Sequence, residues 1–350
     1  MLRILHVGIG PLGRMIVADL TERGLGEVVA AVDASPEIAG KKLSELVPAA
    51  RTKAIVHRSF DELRDWKSID AAIVTTSSDL ASCAPTFREL LMRGVSVVST
   101  CEELAWPRLR HEKLADELDL LARENRGRLL GTGVNPGFLM DAFPAFATGI
   151  SKSVRRIEVV RHQDASIRRI PFQKKIGAGL TEAEFATEVA AGRIRHVGLP
   201  ESLHFLAHVL GIRIQRWEES IHPVVAERAL DSAIGPIAKG RVCGVRQEAR
   251  AFDGSEVRIE LRFAAAIGLA DPHDRVIVHG DPPIDLTWKG GVPGDVATSA
   301  IVLNAIGPLL ASPPGLHTMA TIPIVRCAQP LPAPPRTARR ARTAATPPRS

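Results

Sequence analysis

The feature that most constrains this chain is a glycine-rich turn between two apolar segments near the amino terminus. A mostly apolar run at 4–7 precedes the turn, and a second run at 28–32 ends in Asp33, twenty residues after the last glycine. The turn itself reads Gly8-Ile9-Gly10-Pro11-Leu12-Gly13. A strand, a G-x-G-x-x-G turn, a helix and a strand closed by an acid form the fingerprint of a dinucleotide site. We therefore predict that these six residues and Asp33 bind a nucleotide.

Asp33 also bears on which coenzyme binds. A carboxylate at this position accepts hydrogen bonds from both adenosine ribose hydroxyls and repels a 2′-phosphate, whereas NADP sites usually place an arginine nearby. Ala34 and Ser35 follow, so the sequence favours NAD(H). Lys41 and Lys42 could still reach a 2′-phosphate if the intervening loop folds back, so use of NADP(H) stays open.

Length and composition limit the class of protein. The 350 residues suffice for two domains, and 45% hydrophobic with 24% charged residues is typical of a soluble globular protein. No uncharged apolar run is long enough for a membrane span. Met1 leads directly into a strand rather than a secretory signal, so we expect a cytoplasmic location. The four cysteines lie far apart and form no metal-ligand pattern, so we predict neither disulfides nor a metal site.

The net charge of +6 comes mostly from the end of the chain. Five arginines lie in the last twenty residues, which contain no acid, and subtracting them leaves about +1 for the folded part. A segment rich in Pro, Ala, Thr and Arg cannot bury a core, so 329–350 is predicted to be a disordered basic tail. No module for reading nucleic acid is recognisable, and we expect no nucleic-acid partner.

The pattern of apolar runs predicts two domains. Short apolar runs alternate with helical segments, including one at 104–124, up to about residue 150, which predicts an α/β, doubly wound Rossmann domain over 1–150. Runs at 154–161, 243–252, 257–263 and 275–279 alternate apolar with charged residues instead. They predict a second, α+β domain over 151–328, with a largely antiparallel sheet for substrate binding and oligomerisation as a homodimer. A helix at about 295–311 is expected to pack back on the first domain.

Ligands of doubly wound sheets bind at the carboxyl ends of the strands. The predicted fourth strand ends in Thr75, Thr76 and Ser77, and the fifth and sixth lead to Cys101 and Asn135; we assign all five to the cofactor. Glu102 and Glu103 also follow the fifth strand. Acids here can simply complement the dipole of the helix expected to begin at Glu102. We expect one of the two to serve that purpose and the other to act as a catalytic acid–base group.

Substrate contacts are predicted in two segments. The loop Asn135-Pro136-Gly137-Phe138 holds an amide beside two residues that fix the backbone, although an ordinary turn explains it equally well. The segment 161–179 is rich in cationic and amide side chains that could clamp a carboxylate, unless it is a solvated basic loop. From it we select Arg161, Arg168 and Gln173. We add His196 from the segment that follows.

Several motifs in order resemble one family. They are STCEEL at 99–104, GTGVNPGFLMD at 131–141, FQKKIGAG at 172–179, HVGLPES at 196–202 and GGVPGD at 290–295. Together with the glycine-rich turn, they resemble the dihydrodipicolinate-reductase-like family of 2,4-diaminopentanoate dehydrogenases and native NAD(P)H-dependent amine dehydrogenases. The resemblance covers nearly the whole chain except the tail.

The resemblance implies reversible, NAD(P)-dependent oxidative deamination of a small amine, or reductive amination of a small ketone or keto acid such as 4-oxopentanoate with ammonia. It implies that a glutamate after the fifth strand handles the protons, which matches Glu102 best and Glu103 second. It also implies a polar carboxylate pocket around the basic segment and His196. Two alternatives stay open: a ketone or imine reductase that does not use ammonia, and a non-catalytic NAD(H)-binding sensor.

Overall fold

A computed structural model describes residues 1–168 and 170–330 of the chain. The strands are β1 (Leu2–Val7), β2 (Gly26–Val32), β3 (Val56–His57), β4 (Ala71–Val74), β5 (Ser96–Ser99), β6 (Arg128–Gly131), β7 (Ser153–Asp164), β8 (Arg216–Val225), β9 (Val242–Asp253), β10 (Glu256–Ala266), β11 (His273–Asp281), β12 (Ile284–Lys289) and β13 (Gly315–His317). The α-helices are α1 (Pro11–Glu22), α2 (Leu43–Leu46), α3 (Leu80–Met92), α4 (Glu112–Glu124), α5 (Ala142–Ala147), α6 (Ile170–Lys175), α7 (Glu182–Ala190), α8 (Leu199–Val209) and α9 (Gly294–Leu310).

The first sheet is parallel and carries the glycine-rich turn. Within the described residues it has seven strands in the order β13-β6-β5-β4-β1-β2-β3. One apolar core joins one face to α1 and α9, and another joins the opposite face to α3 and α4. A parallel sheet covered on both faces, with strand order 3-2-1-4-5-6, is the doubly wound arrangement. The predicted doubly wound Rossmann fold is therefore confirmed.

The second sheet is largely antiparallel, as predicted. Its described strands run in the order β12-β11-β7-β10-β9-β8, and only the β7–β10 pair is parallel. One face packs on α7 and α8 around a large apolar core. The other face carries the charged residues, where the buried Glu260 accepts hydrogen bonds from Arg156, Arg250 and Arg262. Burial alone would raise the pKa of Glu260, but these guanidinium groups lower it to about 2.

Two segments differ from the sequence-based expectation. The helix expected from Glu102 and continuing over 104–124 is broken into 3₁₀ turns at Glu102–Ala105 and Pro107–Leu109, with α4 beginning only at Glu112. Pro107 explains the break, because proline disfavours helical backbone in the preceding residue, and Trp106 is non-helical with φ −145° and ψ 72°. Strands β8, β12 and β13 were not predicted, since the first two contain no buried residue and the last has three residues.

The chain returns to the first sheet after the second is complete. Helix α9 packs against α1 and β5, and β13 then pairs with β6. Almost every turn of α9 is apolar, which fits a helix covered on several sides. In the described part of the chain, no helix is both long and apolar enough to cross a membrane. The predicted basic tail lies outside the described residues from 331 onward.

Candidate active site

A cavity of about 350 Å³ lies at the carboxyl ends of β4, β5 and β6, facing the second sheet. The first sheet and its loops contribute hydroxyl, carboxyl and amide groups from Thr75, Thr76, Ser77, Ser78, Thr100, Glu102, Thr132 and Asn135. The second sheet and its helices contribute mostly cations and rings, from Arg161, Arg168, Phe172, Lys175, His196 and Phe263. A wall of hydroxyl and amide groups with one carboxyl group therefore faces a basic wall across the cavity.

A second cavity of about 530 Å³ lies on the other side of the glycine-rich turn. It is lined by Gly8, Gly10 and Asp33, and Thr75 and Thr76 line both cavities. The two cavities therefore adjoin along the end of β4. A bound dinucleotide has this shape, with an adenosine half and a nicotinamide half on either side of a pyrophosphate.

The glycine-rich turn fits a pyrophosphate. A Cβ on Gly13 would lie 2.1 Å from the carbonyl oxygen of Gly8, so only glycine lets α1 approach the strand this closely. A Cβ on Gly10 would meet nothing within 4 Å, which leaves open space beside the amino terminus of α1. The Ile9 N–H donates to Asp33 Oδ2 at 2.7 Å, and Thr75 Oγ1 donates to the Gly8 carbonyl at 2.7 Å. These contacts hold the turn open for a nicotinamide dinucleotide.

Glu102 provides the carboxyl group of the first cavity. Its Oε2 is buried and has no hydrogen-bond partner among the described residues. Burial raises the pKa of the Glu102 carboxyl, while the ammonium of Lys175 and the hydroxyl of Ser78 oppose that rise. A carboxyl group with a raised pKa and a free oxygen in a cavity can both give and take a proton.

Glu103 points elsewhere. Its Oε2 accepts a hydrogen bond from the Leu80 N–H at the start of α3 and another from His111 Nε2, both at 2.9 Å. It does not line either cavity. The structure thus separates the two adjacent acids, one at the cavity and one at the amino end of a helix, where a carboxylate satisfies an otherwise unpaired N–H.

Asn135 and His196 meet across the first cavity. Asn135 Nδ2 lies 2.9 Å from His196 Nε2, and Asn135 Oδ1 is buried without a partner among the described residues. The His196 ring stacks on Phe263, and Gln247 holds its backbone at both the N–H and the carbonyl. Burial and the charges of Lys175 and Arg161 lower the pKa of His196 to about 3, so the ring is neutral. A neutral ring that accepts from Asn135 at Nε2 carries its proton on Nδ1.

The cations of the basic segment differ in what they already bind. Arg161 is buried and donates to Asp274 Oδ1 and to the Val292 carbonyl. Arg168 pairs with Asp295 and lies over the Phe172 ring. Lys175 is exposed to the cavity and has no ion-pair partner among the residues described. An anionic ligand in the cavity could therefore form an ion pair with Lys175 without displacing an existing one.

Several predicted residues lie away from both cavities. Cys101 is buried and its Sγ donates to the Ser78 carbonyl. The Gly137 N–H donates to Asp141, and Phe138 packs against Phe143. Gln173 is fully buried, where it joins the 165–166 carbonyls to the Ala233 N–H. Ile9 and Pro11 also lie outside the linings, whereas Leu12 reaches the first cavity. These residues shape the loops around the site.

The cavity also contains residues that the sequence analysis did not select. Lys175 lies within the basic segment and FQKKIGAG motif, where nothing in the sequence marks it above its neighbours. Asp295 and Thr298, at the start of α9, line the cavity because α9 returns to the first sheet. The GGVPGD motif was the available signal for Asp295. Arg58 lines the second cavity and carried no signal in the sequence, since it is an exposed residue that follows the two-residue strand β3.

Comparison with known proteins identifies relatives over most of the chain. Residues 138–331 match the family model described as the 2,4-diaminopentanoate dehydrogenase C-terminal domain. The chain is 27% identical over 335 residues to the 2,4-diaminopentanoate dehydrogenase of Acetoanaerobium sticklandii, which covers 93% of this chain and 94% of that protein.

Solved structures share the fold. The amine dehydrogenase from Mycobacterium smegmatis superposes with a TM-score of 0.82 at 23% identity, covering 94% of this chain and 98% of that one. Dihydrodipicolinate reductase from Paenisporosarcina sp. TG-14, with dipicolinate bound, gives a TM-score of 0.52 at 16% identity, over 91% and 98% of the two chains.

A glycine-rich turn that fits a dinucleotide, next to a cavity with a buried carboxyl group, is the arrangement of a nicotinamide-dependent dehydrogenase. The family match covers more than half of the chain, and it identifies the family within this class of dehydrogenases. This chain belongs to the 2,4-diaminopentanoate dehydrogenase family. The family that the motifs resemble is thereby confirmed.

Proposed function

We propose that this protein catalyses the reversible, NAD(P)-dependent oxidative deamination of a small amine or diamino acid. In reverse it would carry out reductive amination of a small ketone or keto acid, such as 4-oxopentanoate, with ammonia. The observation that carries the proposal is the Glu102 carboxyl group, which lines the first cavity with a raised pKa and an oxygen free to exchange a proton. The curated relative is named for an amine substrate, which supports this reading.

Glu102 moves the protons of this reaction. When bound, the nicotinamide supplies or accepts the hydride. Ammonia adds to the ketone carbon to give a carbinolamine, and the protonated Glu102 donates its proton to the hydroxyl group, which leaves as water. The resulting iminium carbon takes the hydride and becomes the amine. In the direction of deamination, the Glu102 carboxylate removes a proton from the water that attacks the iminium.

Asn135 and His196 orient the substrate. The neutral His196 ring carries its proton on Nδ1 when Nε2 accepts from Asn135, and it offers a donor without adding a charge. Asn135 Oδ1 is a buried acceptor, so a nitrogen-bearing group in the cavity gives it the partner it lacks. A donor on one side and an acceptor on the other suit a group that changes between carbonyl and amine.

Lys175 selects for a carboxylate on the substrate. Arg161 and Arg168 already pair with Asp274 and Asp295, whereas Lys175 forms no ion pair in the described part of the chain and acts on the Glu102 carboxyl only electrostatically. A substrate carboxylate would form a charge-assisted bond with it. The cavity of about 350 Å³ limits that substrate to a small molecule.

Asp33 supports NAD(H) as a coenzyme, because its carboxylate lies in the second cavity where a ribose hydroxyl can donate to it. Lys41 and Lys42, the residues considered for NADP(H), line neither cavity.

The cytoplasmic location and the homodimer stay predictions. We expect the charged face of the second sheet to form the dimer interface. Light scattering of the purified protein tests whether it is a dimer.

The experiment is coenzyme oxidation with 4-oxopentanoate and a panel of small ketones, with and without ammonium at alkaline pH. The proposal requires turnover that depends on ammonium. Equal turnover without ammonium would instead show a ketone reductase, and tight NADH binding with no turnover on any substrate would favour a sensor.

A further inference from the structure

The adenosine side of the coenzyme site contains a cation that no part of the proposed function has used. Arg58 and Ser59 line the second cavity together with Asp33 and Ala34. The cavity's opposite wall is the glycine-rich turn, which fixes the direction of a bound dinucleotide. Arg58 therefore faces the space that the adenosine ribose would occupy.

Strand register places Arg58 directly beside Asp33. Strands β2 and β3 are parallel with Val32 opposite His57, and the Asp33 N–H donates to the His57 carbonyl at 2.9 Å. Arg58 is the next residue after His57. Glu62 Oε2 accepts from the Arg58 N–H and lies at the same 3.2 Å from His57 Nδ1, so the end of β3 is held in place. Neighbouring parallel strands lie about 4.8 Å apart, which puts the two side chains at one edge of the cavity.

The two opposite charges do not neutralise each other. Asp33 Oδ2 accepts from the Ile9 N–H and Oδ1 from the Ser35 N–H, at 2.7 and 2.9 Å. Arg58 is exposed, and its guanidinium group has no ion-pair or hydrogen-bond partner among the described residues. The hydroxyl of Ser59 makes no capping bond to the 3₁₀ turn that follows. A guanidinium group and a hydroxyl are thus available next to a ribose-binding carboxylate.

We propose that Arg58, assisted by Ser59, is the group that binds the 2′-phosphate when NADP(H) occupies this site. The inference rests on the proposed function only for the presence of a nicotinamide coenzyme. A planar guanidinium group recognises phosphate through paired hydrogen bonds. Asp33 serves the ribose hydroxyls of NAD(H), and Arg58 offsets its repulsion of the phosphate when NADP(H) binds. Lys42 pairs its backbone with Ile55 and lies outside the cavity, so the lysine pair is not this contact.

The test is coenzyme binding measured by fluorescence, without amine or ketone. Adenosine 2′,5′-bisphosphate and 5′-AMP serve as competing probes that isolate the phosphate contact. In Arg58→Ala we expect the Kd for NADPH and for the bisphosphate to rise about ten- to hundredfold, since a charge-assisted contact is lost. The Kd for NADH and 5′-AMP should change less than about twofold, and Arg58→Lys should recover part of the loss. Lys42→Ala is the matched control and should change neither.

Three results would overturn the proposal. Wild-type protein that binds NADPH over a hundredfold more weakly than NADH would show that Arg58 does not accommodate the phosphate. Equal losses for NADH and NADPH in Arg58→Ala would make Arg58 a support for adenine, and a loss in Lys42→Ala alone would move the contact to the lysine. Because no substrate is present, these outcomes are independent of whether the protein aminates ketones.

Discussion

Replacing Glu102 by glutamine removes the group that can give and take a proton and changes the shape of the side chain very little. The side chains have the same shape, and the Oε2 that is replaced has no hydrogen-bond partner in the described structure. General acid–base catalysis contributes about 10²- to 10⁴-fold to a rate. That range corresponds to about 3 to 5 kcal/mol of transition-state stabilisation. We therefore expect Glu102→Gln to lower kcat by at least about a hundredfold in both directions.

The neighbouring acid provides a matched control. Glu103 holds the first turn of α3 and contacts His111, away from the cavity. Glu103→Gln keeps an oxygen that can still accept from the Leu80 N–H, so we expect kcat to stay within about threefold and the free energy of unfolding to fall by about 1 kcal/mol or less. Steady-state kinetics and thermal unfolding of the two variants separate a chemical role from a structural one.

The pH dependence gives a second readout of Glu102. Burial raises its pKa, so amine oxidation, which needs the carboxylate, should decline with falling pH at a pH above the usual range of glutamate. The folded protein therefore binds the Glu102 proton more tightly than the unfolded chain does. The wild type loses stability as pH rises from the glutamate pKa of the unfolded chain to the raised pKa of the folded protein. Glu102→Gln should lack the kinetic limb and have an equal or higher Tm at alkaline pH. Near-normal kcat, or loss of NADH binding together with kcat, would refute the reasoning.

Three further changes test other parts of the structure. Lys175→Met should raise KM for 4-oxopentanoate at least about tenfold through loss of a charged contact and spare a neutral ketone; equal effects on both would contradict a carboxylate role. Gly13→Ala places a Cβ 2.1 Å from the Gly8 carbonyl and should weaken NADH binding at least about tenfold, which unchanged titrations would disprove. Glu260→Gln removes the negative charge that three guanidinium groups share, so the free energy of unfolding in urea at neutral pH should fall by about 3 kcal/mol. Because the pKa of Glu260 is lowered to about 2, the difference in unfolding free energy between wild type and variant should narrow as pH falls from about 4.5 toward 2. A difference that stays constant over this pH range would show that the ion pairs of Glu260 are not its cause.

The sequence predicted the parts of this protein that follow from local pattern. The short apolar runs that alternate with helical segments up to about residue 150 predicted the parallel sheet, and the structure confirms it. Alternating charge over β9 and β10 predicted an antiparallel pair with one charged face. The motifs in order predicted the family, which the family match confirms.

Other features depend on contacts that sequence spacing does not encode. Glu102 and Glu103 are adjacent and alike in sequence, and only the tight turn at 102–105 directs one to the cavity and the other to α3. Gln173 was predicted to line the substrate pocket because it lies in a basic segment, yet its side chain is buried and hydrogen-bonded to backbone groups. Arg58 became a candidate contact only once the β2–β3 register was known.

The measurement that tests the central claim most directly is the fate of nitrogen in the product. The purified protein would be incubated with reduced coenzyme, 4-oxopentanoate or another small ketone, and isotopically labelled ammonium, and the product analysed by mass spectrometry. The account predicts a labelled amine formed in equal amount to the coenzyme oxidised, and its loss in Glu102→Gln. Coenzyme oxidation that yields an alcohol with no label would contradict it.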